Sequence, residues 1–195
     1  MVVTNHCFVR HLEAWAASRR ERIRVVDDGT STNETRLGAV RDIQFAVEQA
    51  ALEGDLLVVA GDNLLDFSLT AFIRYAEKKG CSCVMRFYEP DASKLCKAGV
   101  LTVDAEDRVI RMTEKSPAPE THWICPPFYC FCASDVRRVK EGIDSGCGTD
   151  APGSYTAWLC KQSPLYAMEM PGRRYDIGDL ASYEEVKRCY RGMVK

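Results

Sequence analysis

The stretch that decides the fold is Leu56-Leu57-Val58-Val59-Ala60-Gly61-Asp62-Asn63. Its first five residues form a continuous apolar run, which is typical of a β-strand buried on both faces of a sheet. Gly54-Asp55 makes a turn before the run, and residues 67–79 after it have a helical pattern that ends at Gly80. A buried strand followed by a helix predicts an α/β fold.

The chain before this stretch repeats the alternation of strand and helix. Residues 1–4 and 23–26 are β-branched runs that predict strands, and residues 11–20 and 37–52 predict helices. Strands that alternate with helices are typical of parallel pairing with crossover connections. The first half of the chain therefore predicts a mostly parallel sheet covered by helices.

The second half contains shorter strands with turns between them. The patterns predict strands at residues 81–87, 99–103, 109–112, 128–132 and 165–169, and helices at residues 134–142, 155–161 and 181–190. Residues 104–107 are expected to connect two strands as a hairpin. Residues 116–127 contain four prolines and predict an irregular loop over a site.

Composition limits the classes of protein to consider. With 195 residues, 46% of them hydrophobic, residues 1–195 are expected to form one domain. A formal net charge of -2 provides no overall basic field for a nucleic-acid partner. The sequence has no long apolar run for a membrane span and no signal-peptide pattern, and its ten cysteines do not follow a secreted disulfide pattern. We therefore expect a cytoplasmic protein without a membrane partner.

Close cysteine pairs occur on two of the predicted strands. Cys81 and Cys83 are separated by one residue, and so are Cys130 and Cys132. This spacing places both members of a pair on one face of a strand and differs from the two-residue spacing of zinc sites. We interpret them as small buried hydrophobic residues.

Two aspartates follow predicted strands and are candidates for metal binding. Asp62 comes directly after the buried strand, at the edge where α/β sheets bind ligands, and a carboxylate there suits a magnesium ion that also holds phosphates. Asp176 lies between the strand at residues 165–169 and the last helix. The alternatives are a turn or helix cap at Asp62 and an N-terminal helix cap at Asp176.

A third candidate is the pair Glu114-Lys115, which follows the strand at residues 109–112. Adjacent opposite charges at the end of a strand are commonly just solvated. In a site, Glu114 could accept hydrogen bonds from sugar hydroxyls, and Lys115 could supply a compact positive charge to a phosphate.

The order of six short motifs along the whole chain resembles that of the sugar-phosphate nucleotidylyltransferases, a family that includes glucose-1-phosphate thymidylyl- and uridylyltransferases. The motifs are Val2-Val3-Thr4-Asn5, Leu37-Gly38-Ala39, Gly61-Asp62-Asn63, Ala98-Gly99-Val100, Glu114-Lys115 and Tyr175-Asp176-Ile177-Gly178. The resemblance implies a three-layer, Rossmann-like sheet of the nucleotide-diphospho-sugar transferase type.

The resemblance also implies an activity and a set of site residues. A sugar 1-phosphate would attack the α-phosphate of a nucleoside triphosphate and release pyrophosphate, with Mg²⁺ held by two aspartates. The implied catalytic residues are Asp62, Lys115 and Asp176, and Asp62 and Asp176 are the implied metal ligands. The implied substrate-binding residues are Gly38 toward the nucleoside, Gly99 and Glu114 toward the sugar, and Asn63 and Tyr175 beside the two aspartates.

The chain departs from the family pattern at its start. The family begins with a strand, a Gly-rich loop and a first helix, none of which is recognisable here, so strand edges and apolar surface are expected to be exposed. We expect a fragment of a longer enzyme, inactive or impaired at this length. A chain that pairs with a second copy of itself and a degenerate relative are the alternatives.

Other departures leave the substrates open. The segment Asp27-Asp28-Gly29 stands where a glutamine often binds the base, and Pro126-Pro127-Phe128-Tyr129 stands where small residues approach the sugar. The acceptor could therefore be a phosphorylated alcohol such as phosphocholine.

Two functions of other kinds compete with this interpretation. A metal-dependent glycosyltransferase explains Asp62 but not Glu114-Lys115 together with the later motif at residues 175–178. A non-catalytic regulatory or assembly domain of the same fold fits the missing start equally well.

Overall fold

The computed structural model describes residues 1–193, so the last two residues of the predicted domain lie outside the described part. The strands are β1 Val2–Thr4, β2 Val25–Asp27, β3 Leu56–Val59, β4 Asn63–Leu65, β5 Cys83–Tyr88, β6 Gly99–Val103, β7 Val109–Glu114, β8 Trp123–Cys125, β9 Phe128–Phe131, β10 Tyr166–Glu169 and β11 Arg174–Asp176. The helices are α1 Val9–Ala17, α2 Ala39–Ala50, α3 Thr70–Lys79, α4 Ala92–Leu95, α5 Ala133–Val136, α6 Val139–Asp144, α7 Gly153–Leu159 and α8 Leu180–Cys189. Among the helices of residues 1–193, none has the length and apolar character needed to cross a lipid bilayer.

A central seven-stranded sheet organises the fold and confirms the α/β class. Its order is β3-β9-β5-β8-β6-β7, and β10 also pairs with β5. The expectation of mostly parallel pairing is wrong, because only β1–β2 and β5–β10 are parallel among the described pairs. One cause is β9, which inserts between β3 and β5 and runs antiparallel to both. In addition, β6, β7 and β8 form only antiparallel pairs.

Helices cover both faces of the sheet, as the three-layer expectation requires. On one face, Val40 of α2, Val139 of α6 and Leu159 of α7 share a buried cluster with Val84 of β5. On the other face, Phe72 of α3 packs in a second cluster that includes the two neighbours of Val84 on β5, Cys83 and Met85. Successive residues of one strand thus enter opposite cores, which is why Cys83, Val84 and Met85 are all apolar.

Short elements were the hardest to predict. The three-residue strands β4 and β11 have no counterpart among the predicted strands. The strand β8 lies inside residues 116–127, which the sequence predicts to be irregular. The predicted helix at residues 134–142 is divided into α5 and α6. The hairpin at residues 104–107 is confirmed, since β6 and β7 pair in antiparallel register around it. Of the cysteines predicted to be buried, Cys83 is buried and the other three are half-buried.

An apolar groove of about 570 Å³ separates β1 from β3. It contacts the consecutive residues 1–3 and 56–61, and α2 forms one of its walls. Consecutive residues of a strand point to opposite faces, so a cavity that touches all of them touches the hydrogen-bonding edge of the strand. Within the described residues, neither edge is paired on this side. These open edges agree with the expectation from the sequence.

Asp42 stands in the wall of the groove and is expected to reduce stability near neutral pH. Its Oδ1 atom is buried and finds no hydrogen-bond partner among the described residues. Burial, with a smaller contribution from the charge of Asp28, raises the pKa of Asp42 to about 6. The folded chain therefore holds a proton that the unfolded chain releases, and stability falls as pH rises from about 4 to 6.

We expect Asp42→Asn to increase the free energy of unfolding by about 1 kcal/mol at pH 7.5, because the side chain is only partly buried. At pH 4 the same substitution should change the free energy of unfolding little. Thermal unfolding at both pH values measures the difference. Glu48→Gln removes an exposed acid from the same helix and serves as the control. An equal effect of Asp42→Asn at both pH values would contradict the burial argument.

Candidate active site

The antiparallel ribbon of β4 and β11 brings two of the predicted aspartates together. Asp176 pairs with Asn63, the residue after Asp62, and the backbone N–H of Ile177 donates to the carbonyl oxygen of Asp62 at 2.8 Å. The helix-cap alternative for Asp176 is wrong, because Asp179 caps α8 by accepting from the backbone N–H of Ser182. Asp62 lies in the turn between β3 and β4.

The side chains around this ribbon are chemically suitable ligands for a magnesium ion. Asp62 and Asp176 are both exposed carboxylates, and Mg²⁺ in proteins typically uses one or two carboxylates and completes its shell with water and substrate phosphates. Asp62 accepts a hydrogen bond from Asn63 Nδ2 at 2.6 Å. The Arg174 guanidinium donates to Asn63 Oδ1 at 2.7 Å and lies 3.5 Å from Asp176 Oδ1. Asn63 therefore acts here as a bridge between Asp62 and Arg174.

A second cluster surrounds Glu114 at the end of β7. Glu114 pairs with Gly99 across the β6–β7 ladder, and a Cβ atom on Gly99 would come within 2.7 Å of Glu114 Oε2. A Cβ atom on Gly153, at the start of α7, would come even closer to the same oxygen. Burial raises the pKa of Glu114, while Lys115 opposes this rise and Asp150 adds to it. Two glycines thus make room for a half-buried carboxylate.

Lys115 has a strained backbone and an ion pair that the sequence does not reveal. Its φ of 48° lies in the left-handed region, where a non-glycine residue is uncommon, and its N–H donates to the Ala98 carbonyl at 3.1 Å. Its Nζ atom lies 3.4 Å from Asp150 Oδ2, and Arg36 Nη2 lies 2.7 Å from Asp150 Oδ1. Sequence reasoning missed Arg36 and Asp150 because they are far apart in the chain and no local motif contains them.

Gly38 fits tightly against the segment that carries Asp150. It precedes α2 with φ 88° and ψ 149°, and a Cβ atom would lie 2.5 Å from the Thr149 carbonyl oxygen. The first amides of α2 donate to this segment, Ala39 to Asp150 at 3.2 Å and Val40 to Thr149 at 3.0 Å. The close neighbour of Gly38 in the structure is therefore backbone, and its role toward a nucleoside stays a prediction.

Tyr175 differs in position from the other predicted site residues. It lies between Arg174 and Asp176 on β11, so its side chain projects to the opposite face of the ribbon. Its ring packs edge-on against Tyr190, with ring centroids 5.5 Å apart. The contact with Tyr190 gives Tyr175 a packing role in the structure, and its role in substrate binding stays a prediction.

The two clusters lie next to residues that line the groove. Gly61, next to Asp62, lines the groove between β1 and β3, and so do Ala39, next to Gly38, and Pro152, next to Gly153. The groove thus runs close to the ribbon and to the Glu114 cluster, although Asp62, Asp176 and Glu114 are not among its lining residues. The arrangement has carboxylates suited to a metal ion on one side and a carboxylate with two cations on the other.

Comparison with known proteins identifies the family. The nucleotidyl transferase family matches residues 2–191. The chain belongs to this family. The resemblance seen in the order of the motifs is thus confirmed.

The curated relatives of this nucleotidyl transferase family member include glucose-1-phosphate adenylyltransferases. The protein from Fervidobacterium nodosum is 21% identical over 132 residues, which are 67% of this chain and 32% of the relative. The protein from Thermotoga neapolitana is 24% identical over 134 residues, again 67% of this chain and 32% of the relative. The chain thus spans about a third of the length of the curated relatives it matches.

Solved structures share the fold over nearly the whole chain. A Bacillus anthracis protein described as a glucose-1-phosphate thymidylyltransferase is 17% identical with a TM-score of 0.81, covering 100% of this chain and 77% of that one. A UDP-glucose pyrophosphorylase in complex with UDP-glucose is 17% identical with a TM-score of 0.72, covering 93% of this chain and 72% of that one. At these identities the likeness supports the fold.

Proposed function

We propose that this chain forms the catalytic domain of a nucleotidyltransferase that joins a nucleoside triphosphate to a sugar 1-phosphate and releases pyrophosphate. The observation that carries the proposal is the β4–β11 ribbon, which brings Asp62 next to Asp176 and follows directly on Gly61 of the groove. Family membership and the adenylyltransferase relatives support the same reaction.

Each residue contributes binding or positioning in the proposed reaction. Glu114 accepts hydrogen bonds from sugar hydroxyls, Lys115 binds the sugar phosphate, and Gly99 contacts the sugar ring through its backbone. Asp62 and Asp176 would hold Mg²⁺, which when bound neutralises charge on the phosphates. Catalysis then follows from holding the phosphate oxygen of the sugar in line with the α-phosphate, without a covalent enzyme intermediate.

The substrates are left open within this reaction. The base, and the choice between a sugar 1-phosphate and a phosphocholine-like acceptor, are questions for the assay. We propose the cytoplasm as the compartment because all ten cysteines are free. Self-association and impaired activity of the chain at this length also stay predictions.

The alternative functions are less well supported by the site. A glycosyltransferase needs the metal-binding aspartates but leaves the paired Glu114 and Lys115 without a role. A non-catalytic assembly domain is favoured by one observation, the open edges of β1 and β3 along the groove.

Pyrophosphate release tests the proposal. We would incubate the chain with Mg²⁺, each of the four nucleoside triphosphates, and a panel of sugar 1-phosphates plus phosphocholine, and follow thermal unfolding with the same compounds. We expect release with one pair, or, for an impaired chain, a rise in Tm with that pair. If no compound produces either release or a rise in Tm, the proposal is wrong. Turnover of a nucleotide sugar instead would favour the glycosyltransferase.

A further inference from the structure

One carboxylate in the candidate site binds two cations from distant parts of the chain. Asp150 Oδ1 lies 2.7 Å from Arg36 Nη2, and Asp150 Oδ2 lies 3.4 Å from Lys115 Nζ. Arg36 precedes α2, Lys115 follows β7, and Asp150 precedes α7. Three separate connections therefore bring two positive charges to the two oxygens of one planar anion.

Backbone hydrogen bonds fix the main chains of Asp150 and Lys115, while the charged ends of all three side chains are open to solvent. The Asp150 carbonyl oxygen accepts from the Ala39 amide of α2, and the Lys115 amide donates to Ala98. The side chains are 61% exposed for Arg36, 52% for Lys115 and 58% for Asp150. Exposed ion pairs contribute little to stability, so an incoming anion can take both cations at little cost.

The two cations suit a phosphate monoester. An arginine guanidinium can donate two parallel hydrogen bonds to phosphate oxygens, and a lysine adds a compact charge. A phosphate dianion has one more oxygen and more charge than a carboxylate, so it competes well for the same pair of donors. Glu114, adjacent to Lys115, would reach the hydroxyl groups of the attached sugar.

We propose that Arg36 is a second phosphate-binding residue beside Lys115, and that the Asp150 carboxylate takes the place of the substrate phosphate until the substrate binds. This inference rests on the proposed function and adds to it the residue that shares the sugar phosphate. It makes Asp150 a competitor of the substrate.

Substitutions at the two positions are expected to change affinity in opposite directions. Arg36→Gln removes a phosphate donor and should raise the Kd for glucose 1-phosphate at least about tenfold, with partial recovery in Arg36→Lys. Asp150→Asn keeps the size of the side chain and removes the competing charge, so it should lower that Kd roughly threefold to tenfold. A purely structural role for Asp150 predicts that the same substitution weakens binding.

Isothermal titration calorimetry of the whole chain with glucose 1-phosphate, without nucleotide, measures these changes. Separate titrations with inorganic pyrophosphate and with a nucleoside triphosphate distinguish a sugar-phosphate site from a site for the triphosphate. Arg41→Gln, an exposed arginine on α2, is the control and should leave the Kd unchanged. Thermal unfolding verifies that every variant folds.

The outcomes separate the two proposals. If the wild-type chain binds none of these compounds, the proposed function fails and this inference fails with it. If the wild type binds glucose 1-phosphate with a Kd that Arg36→Gln does not change, only the role of Arg36 is wrong. If Asp150→Asn weakens binding, Asp150 positions the cations and does not compete. If the changes appear only with pyrophosphate or triphosphate, the site belongs to the nucleotide.

Discussion

Asp62→Asn and Asp176→Asn are each expected to lower kcat for pyrophosphate release by roughly a hundredfold to a thousandfold. Both carboxylates stand at the end of the β4–β11 ribbon, where Asp176 pairs with the neighbour of Asp62. Asparagine keeps the shape of the side chain and removes the charge that a magnesium ion requires. Initial rates at saturating substrate, measured over a range of Mg²⁺ concentrations, give kcat and the concentration of Mg²⁺ at half-maximal rate.

The matched control for this pair is Asp66→Asn, directly after β4. The Asp66 carboxylate accepts a hydrogen bond from the Arg173 amide at 2.7 Å, so this substitution should lower Tm and leave kcat of the folded enzyme near the wild-type value. Because the two aspartates are expected to act on one ion, the double variant should lose little more activity than either single variant. A variant at Asp62 or Asp176 with wild-type kcat would remove that residue from the metal site.

Gly38→Ala is expected to lower the free energy of unfolding by about 2–4 kcal/mol, since both strain and a steric clash oppose it. Its φ of 88° with ψ of 149° is a conformation that residues with a Cβ atom rarely adopt. The added Cβ atom would lie 2.5 Å from the Thr149 oxygen and 2.9 Å from the Thr149 carbonyl carbon. These are backbone atoms that also cap α2, so they cannot rotate away as a side chain would.

Thermal unfolding should report this as a fall in Tm of roughly 5–15 °C. Gly54→Ala is the control, because an added Cβ atom at Gly54 meets nothing within 4 Å. The segment displaced by Gly38→Ala carries Asp150, so binding of glucose 1-phosphate should change as well. Equal stability of the two variants would show that the segment at residues 149–150 adapts to a side chain at Gly38.

Several parts of the site could be predicted because their signals are local. Asp62 follows an apolar run that predicts the strand β3, and Glu114 and Lys115 lie at the end of β7. The expectation that β3 is buried on both faces is wrong, because Leu57 and Val59 are exposed. The hairpin at residues 104–107 has its turn chemistry in four consecutive residues. The expectation of mostly parallel pairing is wrong at β9, because the residues of β9 do not specify the direction in which this strand runs. An apolar strand buried on both faces fits either direction, and the pairing with β3 and β5 decides it.

The sequence alone determined the α/β class, most strands of the central sheet and the candidate residues Asp62, Asp176, Glu114 and Lys115. It could do so because hydrophobic periodicity and turn residues act over a few positions. The tertiary structure alone decided that β4 and β11 form a ribbon, which brings Asp62 to Asp176, and that Asp150 lies between Arg36 and Lys115. Three-residue strands and exposed ion pairs have no periodic signal, and they form only where the packing of the whole sheet brings distant segments of the chain together.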